Sequence, residues 1–133
     1  MKLEHIGIAV KDLKKSEKMY EELLRTSVYK REEVPSESVI TSFLSTGSTK
    51  IELLASQDPD GPIARFISKR GPGIHHIAFE VNDIEMEIDR LVEQGYQLIS
   101  TKPKLGADNK KIVFLHPSST NGVLIELCQE VKK

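Results

Sequence analysis

The sequence has little of what marks secreted, membrane or nucleic-acid-binding proteins. Its single cysteine, Cys128, in 133 residues excludes an internal disulfide framework and favours a reducing compartment. No apolar run approaches the roughly 18 residues that a membrane-spanning helix needs. Lys and Arg number 19 against 20 Asp and Glu, so no net charge attracts nucleic acid or an acidic membrane. Because the first residues read directly into a strand pattern, we expect no targeting segment and a cytoplasmic location.

Several signatures of enzyme classes are also missing. The chain has no glycine-rich phosphate loop, no nucleophile elbow and no Cys-x-x-Cys motif, which argues against nucleotide-dependent, serine-hydrolase and dithiol chemistry. Its length suits one domain that buries a real core. We therefore expect residues 1–133 to form a single domain.

What the sequence does contain is an internal repeat. Residues 4–13 (EHIGIAVKDL) match residues 75–84 (HHIAFEVNDI) position for position, and KIELL at 50–54 corresponds to LIELC at 124–128. Each copy reads as a strand, a helix and then further strands, which predicts an α+β fold of two tandem modules. Repeat one covers about 1–56, the linker about 57–73 and repeat two about 74–130.

Periodicity and turn residues place the elements within each copy. Asp12 and Asp83 stand where helix N-caps are expected. The predicted strands that open the copies are 3–10 and 74–82, the helices are 13–25 and 84–95, the hairpins pair 38–46 with 49–55 and 111–116 with 122–128, and a short helix at 63–69 lies in the linker.

Two histidines and two glutamates recur at equivalent strand positions. Strand alternation puts His5 and His76 on the face opposite the β-branched residues that follow them, and Glu52 and Glu126 likewise point away from their apolar neighbours. Taken singly, each is more often a surface or structural residue. Their recurrence in both copies favours a shared role, because a pseudo-twofold axis would bring all four together. Imidazole and carboxylate suit zinc, cobalt, manganese, iron or nickel, so we predict a divalent metal site.

Other conspicuous residues are interpreted as structural. His75 should point away from His76 and take a packing or surface role. His116, at a hairpin corner, is predicted to cap a loop. Cys128 is predicted to be buried and inert. Lys50 shares the face of Glu52 and could meet a substrate carboxylate or phosphate, but a solvated lysine is the interpretation we favour.

Paired βαβββ modules with a histidine on the first strand and a glutamate on the last resemble the vicinal oxygen chelate superfamily. That superfamily includes glyoxalase I, extradiol dioxygenases and the fosfomycin and bleomycin resistance proteins. Longer stretches are similar to the methylmalonyl-CoA epimerase family over nearly the whole chain: LEHIGIAVKDL, TKIELL, GPGIHHIAFEVNDI, KPKLGADNKKIVFLHP and NGVLIELCQ. The resemblance implies a cupped mixed sheet around a metal site, and a homodimer.

The resemblance also implies an activity. It is the metal-dependent epimerisation of methylmalonyl-CoA at C2, R to S, through a metal-stabilised enolate, as used in propionate metabolism. The implied cofactor is one divalent ion, cobalt first, with manganese, zinc or nickel as alternatives. His5, Glu52 and His76 would be ligands, and Glu126 both ligand and catalytic base. The implied partner is a CoA thioester, with neither nucleic acid nor membrane.

The sequence departs from the family at Thr41, where a second glutamate is expected, so the strict two-glutamate mechanism is in doubt. Glu37, Lys50 or an ordered water could take that role. Two other activities stay open: a glyoxalase I-like isomerisation of a glutathione hemithioacetal, and a metal-free drug-binding resistance dimer of the same fold.

Overall fold

The computed structural model describes residues 1–131, and they divide into two compact units. One unit is His5–His75, and the other is Met1–Glu4 with the chain from His76 onward. The strands are β1 (Lys2–Ala9), β2 (Lys30–Val34), β3 (Val39–Ser45), β4 (Lys50–Ser56), β5 (Gly73–Glu80), β6 (Lys104–Leu105), β7 (Lys110–Leu115) and β8 (Ile125–Glu130), and the helices are α1 (Leu13–Leu24), α2 (Pro62–Arg70) and α3 (Ile84–Glu93). Short 3₁₀ turns lie at Pro35–Glu37, Ala107–Asn109 and Pro117–Ser119.

The two modules have the same strand order. In the first, the order is β2-β3-β4-β1, with β1 parallel to β4 and the other neighbours antiparallel. In the second, the matching order is β6-β7-β8-β5, with β5 parallel to β8. The predicted α+β fold of two βαβββ modules is therefore confirmed. The assignment of residues 1–133 to one domain stays a prediction.

Both module helices begin at the aspartates that the sequence indicated. The side chain of Asp12 accepts a hydrogen bond from the backbone N–H of Lys15, and that of Asp83 accepts one from Met86, each at 3.1 Å. These bonds satisfy amide donors that the first turn of a helix leaves without partners. The predicted N-caps are confirmed.

One face of each module's strands packs under its helix. In the second module, the buried residues are Val81, Ile84, Ile88, Leu91, Val113, Leu115 and Leu127. In the first, Val10, Leu44, Leu53 and Ala55 are buried together with partly buried side chains of α1. Since side chains alternate along a strand, the residues between these point to the opposite face. The predicted histidines and glutamates lie on that opposite face.

Two strands were not placed by the sequence patterns. β2 reads KREEV and pairs with β3. Its charged side chains, which are common at a sheet edge, hide the alternation that marks a strand. β6 has two residues, too few to show a period. Among the helices of residues 1–131, none is long and apolar enough to cross a membrane.

A buried carboxylate links α1 to the sheet of the first module. Glu17 is 5% exposed and accepts hydrogen bonds from the Ser42 hydroxyl at 2.5 Å and from Arg31 Nε at 2.6 Å. The Arg31 guanidinium holds the pKa of the Glu17 carboxyl below its ordinary value, with burial opposing this and Ser42 assisting it. A carboxyl whose pKa is lowered by folding stabilises the fold above its unfolded pKa, and this stabilisation is lost as the pH falls through its folded pKa.

We expect Glu17→Gln to lose about 1–3 kcal/mol of unfolding free energy at pH 7, because the charge-assisted bonds to Arg31 and Ser42 are weakened. Below about pH 4.3, the ordinary pKa of glutamate, the difference from wild type should shrink. Urea denaturation between pH 3 and pH 7 measures both quantities. Glu22→Gln, at an exposed position of the same helix, is the control. A constant difference over that range would contradict the assignment.

Candidate metal centre

In the first module, the parallel pairing of β1 with β4 brings His5 beside Glu52. The β1 residue in register with Glu52 is Gly7, which has no side chain. His5 Nδ1 lies 3.1 Å from Glu52 Oε2, and both side chains are buried, at 6% and 5% exposure. The two residues predicted from this module therefore meet.

The second module repeats this arrangement. Ala78, a small residue, is in register with Glu126 on the parallel strand β8. His76 Nε2 lies 3.4 Å from Glu126 Oε1, and each side chain is 6% exposed. Each module thus holds one buried imidazole–carboxylate pair. That both pairs bind a single ion stays a prediction.

Within each pair, the separation of the two donor atoms fits a divalent ion bound by both residues. Two ligand atoms about 2.1 Å from one ion lie about 3.0–3.4 Å apart when the angle between them is octahedral or tetrahedral. The His5–Glu52 and His76–Glu126 separations of 3.1 Å and 3.4 Å fall in that range. Imidazole nitrogen and carboxylate oxygen also form a ligand set that suits zinc, manganese or cobalt. By distance, burial and donor type, each pair can contribute two ligands to an ion.

Each pair lies beside a phenylalanine that the sequence analysis did not single out. Phe43 is in register with Glu52, and Phe114 with Glu126. Phe114 meets the imidazole of His76 edge to face, with ring centroids 5.8 Å apart. The sequence feature that could have identified these rings is the dipeptide Phe-Leu, which precedes the last strand of each copy at 43–44 and 114–115. Both glutamates are buried, and burial strengthens the electrostatic interactions of a carboxylate.

Thr41 lies on the same side of its strand as Phe43, two residues away, and is 1% exposed. Its register partner is Leu54 on β4, so its hydroxyl belongs to the face that carries Glu52. A threonine hydroxyl does not titrate near neutral pH. Glu37 lies in the 3₁₀ turn before this strand, and Lys50 opens β4 and is partly buried.

Three of the residues interpreted as structural, His75, His116 and Cys128, lie where that interpretation predicts. His75 packs edge to face against an aromatic ring of α2, with centroids 4.9 Å apart, and burial lowers the pKa of its imidazole. His116 Nδ1 accepts a hydrogen bond from a backbone amide of the following turn at 3.1 Å. Cys128 is fully buried, and its burial, together with the nearby Glu126 charge, raises the pKa of its thiol. A thiol with a raised pKa is a poor nucleophile.

Comparisons with known proteins identify the family of the chain. The family model described as the Glyoxalase/Bleomycin resistance protein/Dioxygenase superfamily matches residues 4–114. The chain is 42% identical over 130 residues to the ethylmalonyl-CoA/methylmalonyl-CoA epimerase of Cereibacter sphaeroides, covering 96% of this chain and 97% of that protein.

Solved structures give the same result for the fold. Methylmalonyl-CoA epimerase from Mycobacterium tuberculosis superposes with a TM-score of 0.94 at 34% identity, covering 98% of this chain and 89% of that one. A variant of the Streptomyces coelicolor methylmalonyl-CoA epimerase in complex with 2-nitronate-propionyl-CoA superposes with a TM-score of 0.92 at 28% identity, covering 98% and 95%.

The adjacent histidines of β5 provide a matched test of metal binding. We expect His76→Ala to bind cobalt roughly 100-fold or more weakly than wild type, since even loss of an outer partner of a ligand typically costs 10- to 100-fold. His75→Ala should keep wild-type affinity, because its ring packs on the other face of the strand. Cobalt titration followed by visible absorption measures both. Equal affinities in the two variants would remove His76 from the site.

Proposed function

The chain belongs to the glyoxalase/bleomycin resistance protein/dioxygenase superfamily, and we propose that it acts as a methylmalonyl-CoA epimerase, interconverting the R and S forms at C2. The observation that carries the proposal is sequence identity of 42% and 34%, over nearly the whole chain, to epimerases of this substrate. The buried imidazole–carboxylate pair in each module supports it, because the proposed reaction needs both a base and a positive partner for an enolate.

The chemistry of the substrate determines which groups the site must provide. The hydrogen at C2 lies between a thioester and a carboxylate, so its removal gives an enolate. The reaction therefore needs a proton acceptor within reach of C2 and a positive charge near the thioester oxygen. It also needs a proton delivered to the opposite face of C2, because return to the same face only regenerates the starting isomer.

We propose that His5, Glu52, His76 and Glu126 together hold one divalent ion. Cobalt is the first candidate, and manganese, zinc and nickel are the alternatives. The ligand spacing within each pair supports this. When bound, such an ion supplies Lewis-acid polarisation of a carbonyl oxygen. The residues' own task is to fix the ligand atoms, and the strand register sets each glutamate beside a small residue, Gly7 or Ala78.

Glu126 is the proposed proton acceptor for one face of C2. Its carboxylate is buried beside Phe114 and Cys128, and its Oε1 lies 3.4 Å from His76 Nε2. The proton for the other face is not assigned to Thr41, whose hydroxyl cannot release a proton near neutral pH. Glu37 and Lys50 are the titratable side chains that we propose as candidates for that step.

We further propose that the protein works as a cytoplasmic homodimer in propionate metabolism. The assembly is supported by large apolar side chains on the surface, such as Leu23, Ile74 and Leu105, each at least 60% exposed. Apolar surface of this kind is available for burial against a second copy.

The proposal is tested by following C2 of methylmalonyl-CoA in deuterated water. Cobalt-loaded wild type should exchange the C2 hydrogen and interconvert the isomers. Glu126→Gln keeps a carbonyl oxygen but removes the base, so we expect exchange to slow by roughly 10²- to 10⁴-fold. Glu130→Gln, exposed and four residues further along the same strand, should exchange at the wild-type rate.

Metal content measured alongside separates loss of the base from loss of the ion. No C2 exchange by the metal-loaded wild type, with turnover of the methylglyoxal–glutathione hemithioacetal instead, would replace the proposal by a glyoxalase I-like activity. Undiminished exchange by Glu126→Gln would move the base to another residue.

A further inference from the structure

Lys50 lies on the same face of the first module's sheet as Glu52. Ile51, the residue between them, packs with the core under α1, and alternate residues of a strand share a face. Lys50 and Glu52 therefore both point away from that core. Lys50 is partly buried, which differs from the solvated lysine that the sequence pattern favoured.

The strand register places Lys50 directly beside the imidazole–carboxylate pair of its module. Its partner on the parallel strand β1 is His5, and the partner of Glu52 is Gly7. Neighbouring strands lie about 4.8 Å apart, and alternate residues of one strand about 6.6 Å apart. No other strand row of this face separates Lys50 from His5 or from Glu52. A group bound at the pair therefore lies within reach of the lysine side chain.

The hairpin between β3 and β4 fixes the backbone from which Lys50 projects. The N–H of Thr46 donates to the carbonyl oxygen of Thr49 at 3.0 Å and closes the turn. On β3 the register partner of Lys50 is Ser45, a small and exposed residue. One neighbour of Lys50 is thus in contact with solvent and the other is His5, so a ligand that enters from solvent can meet the lysine ammonium.

The substrate of the proposed reaction needs a positive charge besides that of the ion. In the proposed metal site, the carboxylates of Glu52 and Glu126 neutralise a divalent ion. A methylmalonyl thioester brings one free carboxylate, and loss of its C2 proton adds the charge of the enolate. The CoA phosphates are separated from the acyl group by the whole pantetheine arm. The acyl carboxylate is therefore the substrate anion that a lysine beside the ligand pair can contact.

We propose that Lys50 binds the free carboxylate of the malonyl group and makes the site prefer dicarboxylic to monocarboxylic acyl-CoA thioesters. This inference rests on the proposed function. Of the two roles open to Lys50 there, it assigns substrate binding and leaves the second proton to Glu37. The carboxylate oxygen accepts a charge-assisted hydrogen bond from the ammonium, which is a stronger contact than one between neutral groups.

Two thioesters that differ only in the carboxylate give a matched experiment. For cobalt-loaded Lys50→Met, isothermal titration calorimetry should show the Kd of methylmalonyl-CoA raised roughly 10- to 100-fold, the usual cost of one charge-assisted hydrogen bond. The Kd of propionyl-CoA, which lacks the carboxylate, should stay at its wild-type value. Lys50→Arg should restore part of the affinity for methylmalonyl-CoA. Lys14→Met, at an exposed position of α1, is the control and should change neither constant.

A second pair of ligands separates the carboxylate from the phosphates. Methylmalonyl-pantetheine has the carboxylate but no phosphate, so Lys50→Met should weaken its binding by the same factor as that of methylmalonyl-CoA. A loss that is confined to the CoA thioester would make Lys50 a phosphate contact and overturn the inference.

Three further outcomes would also overturn it. Equal weakening of methylmalonyl-CoA and propionyl-CoA, or loss of bound cobalt, would make Lys50 a structural residue. A wild-type Kd for methylmalonyl-CoA combined with slower epimerisation would make it the second proton carrier instead. Lys50→Gln, which keeps a polar head, gives the same comparison if Lys50→Met does not fold. Failure of the proposed function is read from wild type alone, as absence of C2 exchange.

Discussion

The proposed function depends on one kind of contact, a buried imidazole beside a carboxylate on the strand face opposite the core under α1 or α3. Burying such a pair costs free energy unless each group finds a partner of suitable charge. In both modules the partner comes from the parallel pairing of the first strand with the last, which sets His5 beside Glu52 and His76 beside Glu126. In each module a small residue, Gly7 or Ala78, is in register with the glutamate.

The rest of each module supports that contact. Helices α1 and α3 cover the apolar face of their sheets, so the strands stay fixed while their other faces carry polar groups. Glu17 is a buried carboxylate of a different kind, because its hydrogen bonds to Arg31 and Ser42 join a helix to a sheet.

Much of the candidate site could be predicted because the duplication and the strand alternation are visible in the sequence itself. They predicted which histidine and which glutamate share a face, and register then brought each pair together. Phe43 and Phe114 were missed because a phenylalanine in a strand reads as ordinary core. Thr41 could be placed on its strand, but its chemistry cannot replace a glutamate.

In the proposed metal site each pair would supply two of four ligands, so the proposal requires that both pairs bind the same ion. Anomalous diffraction at the cobalt absorption edge, from crystals of the cobalt-loaded protein, tests it directly. The expected result is one peak per chain, about 2.0–2.2 Å from one atom of each of His5, Glu52, His76 and Glu126. Two separate peaks, one on each pair, or a single peak ligated by one pair alone, would contradict it.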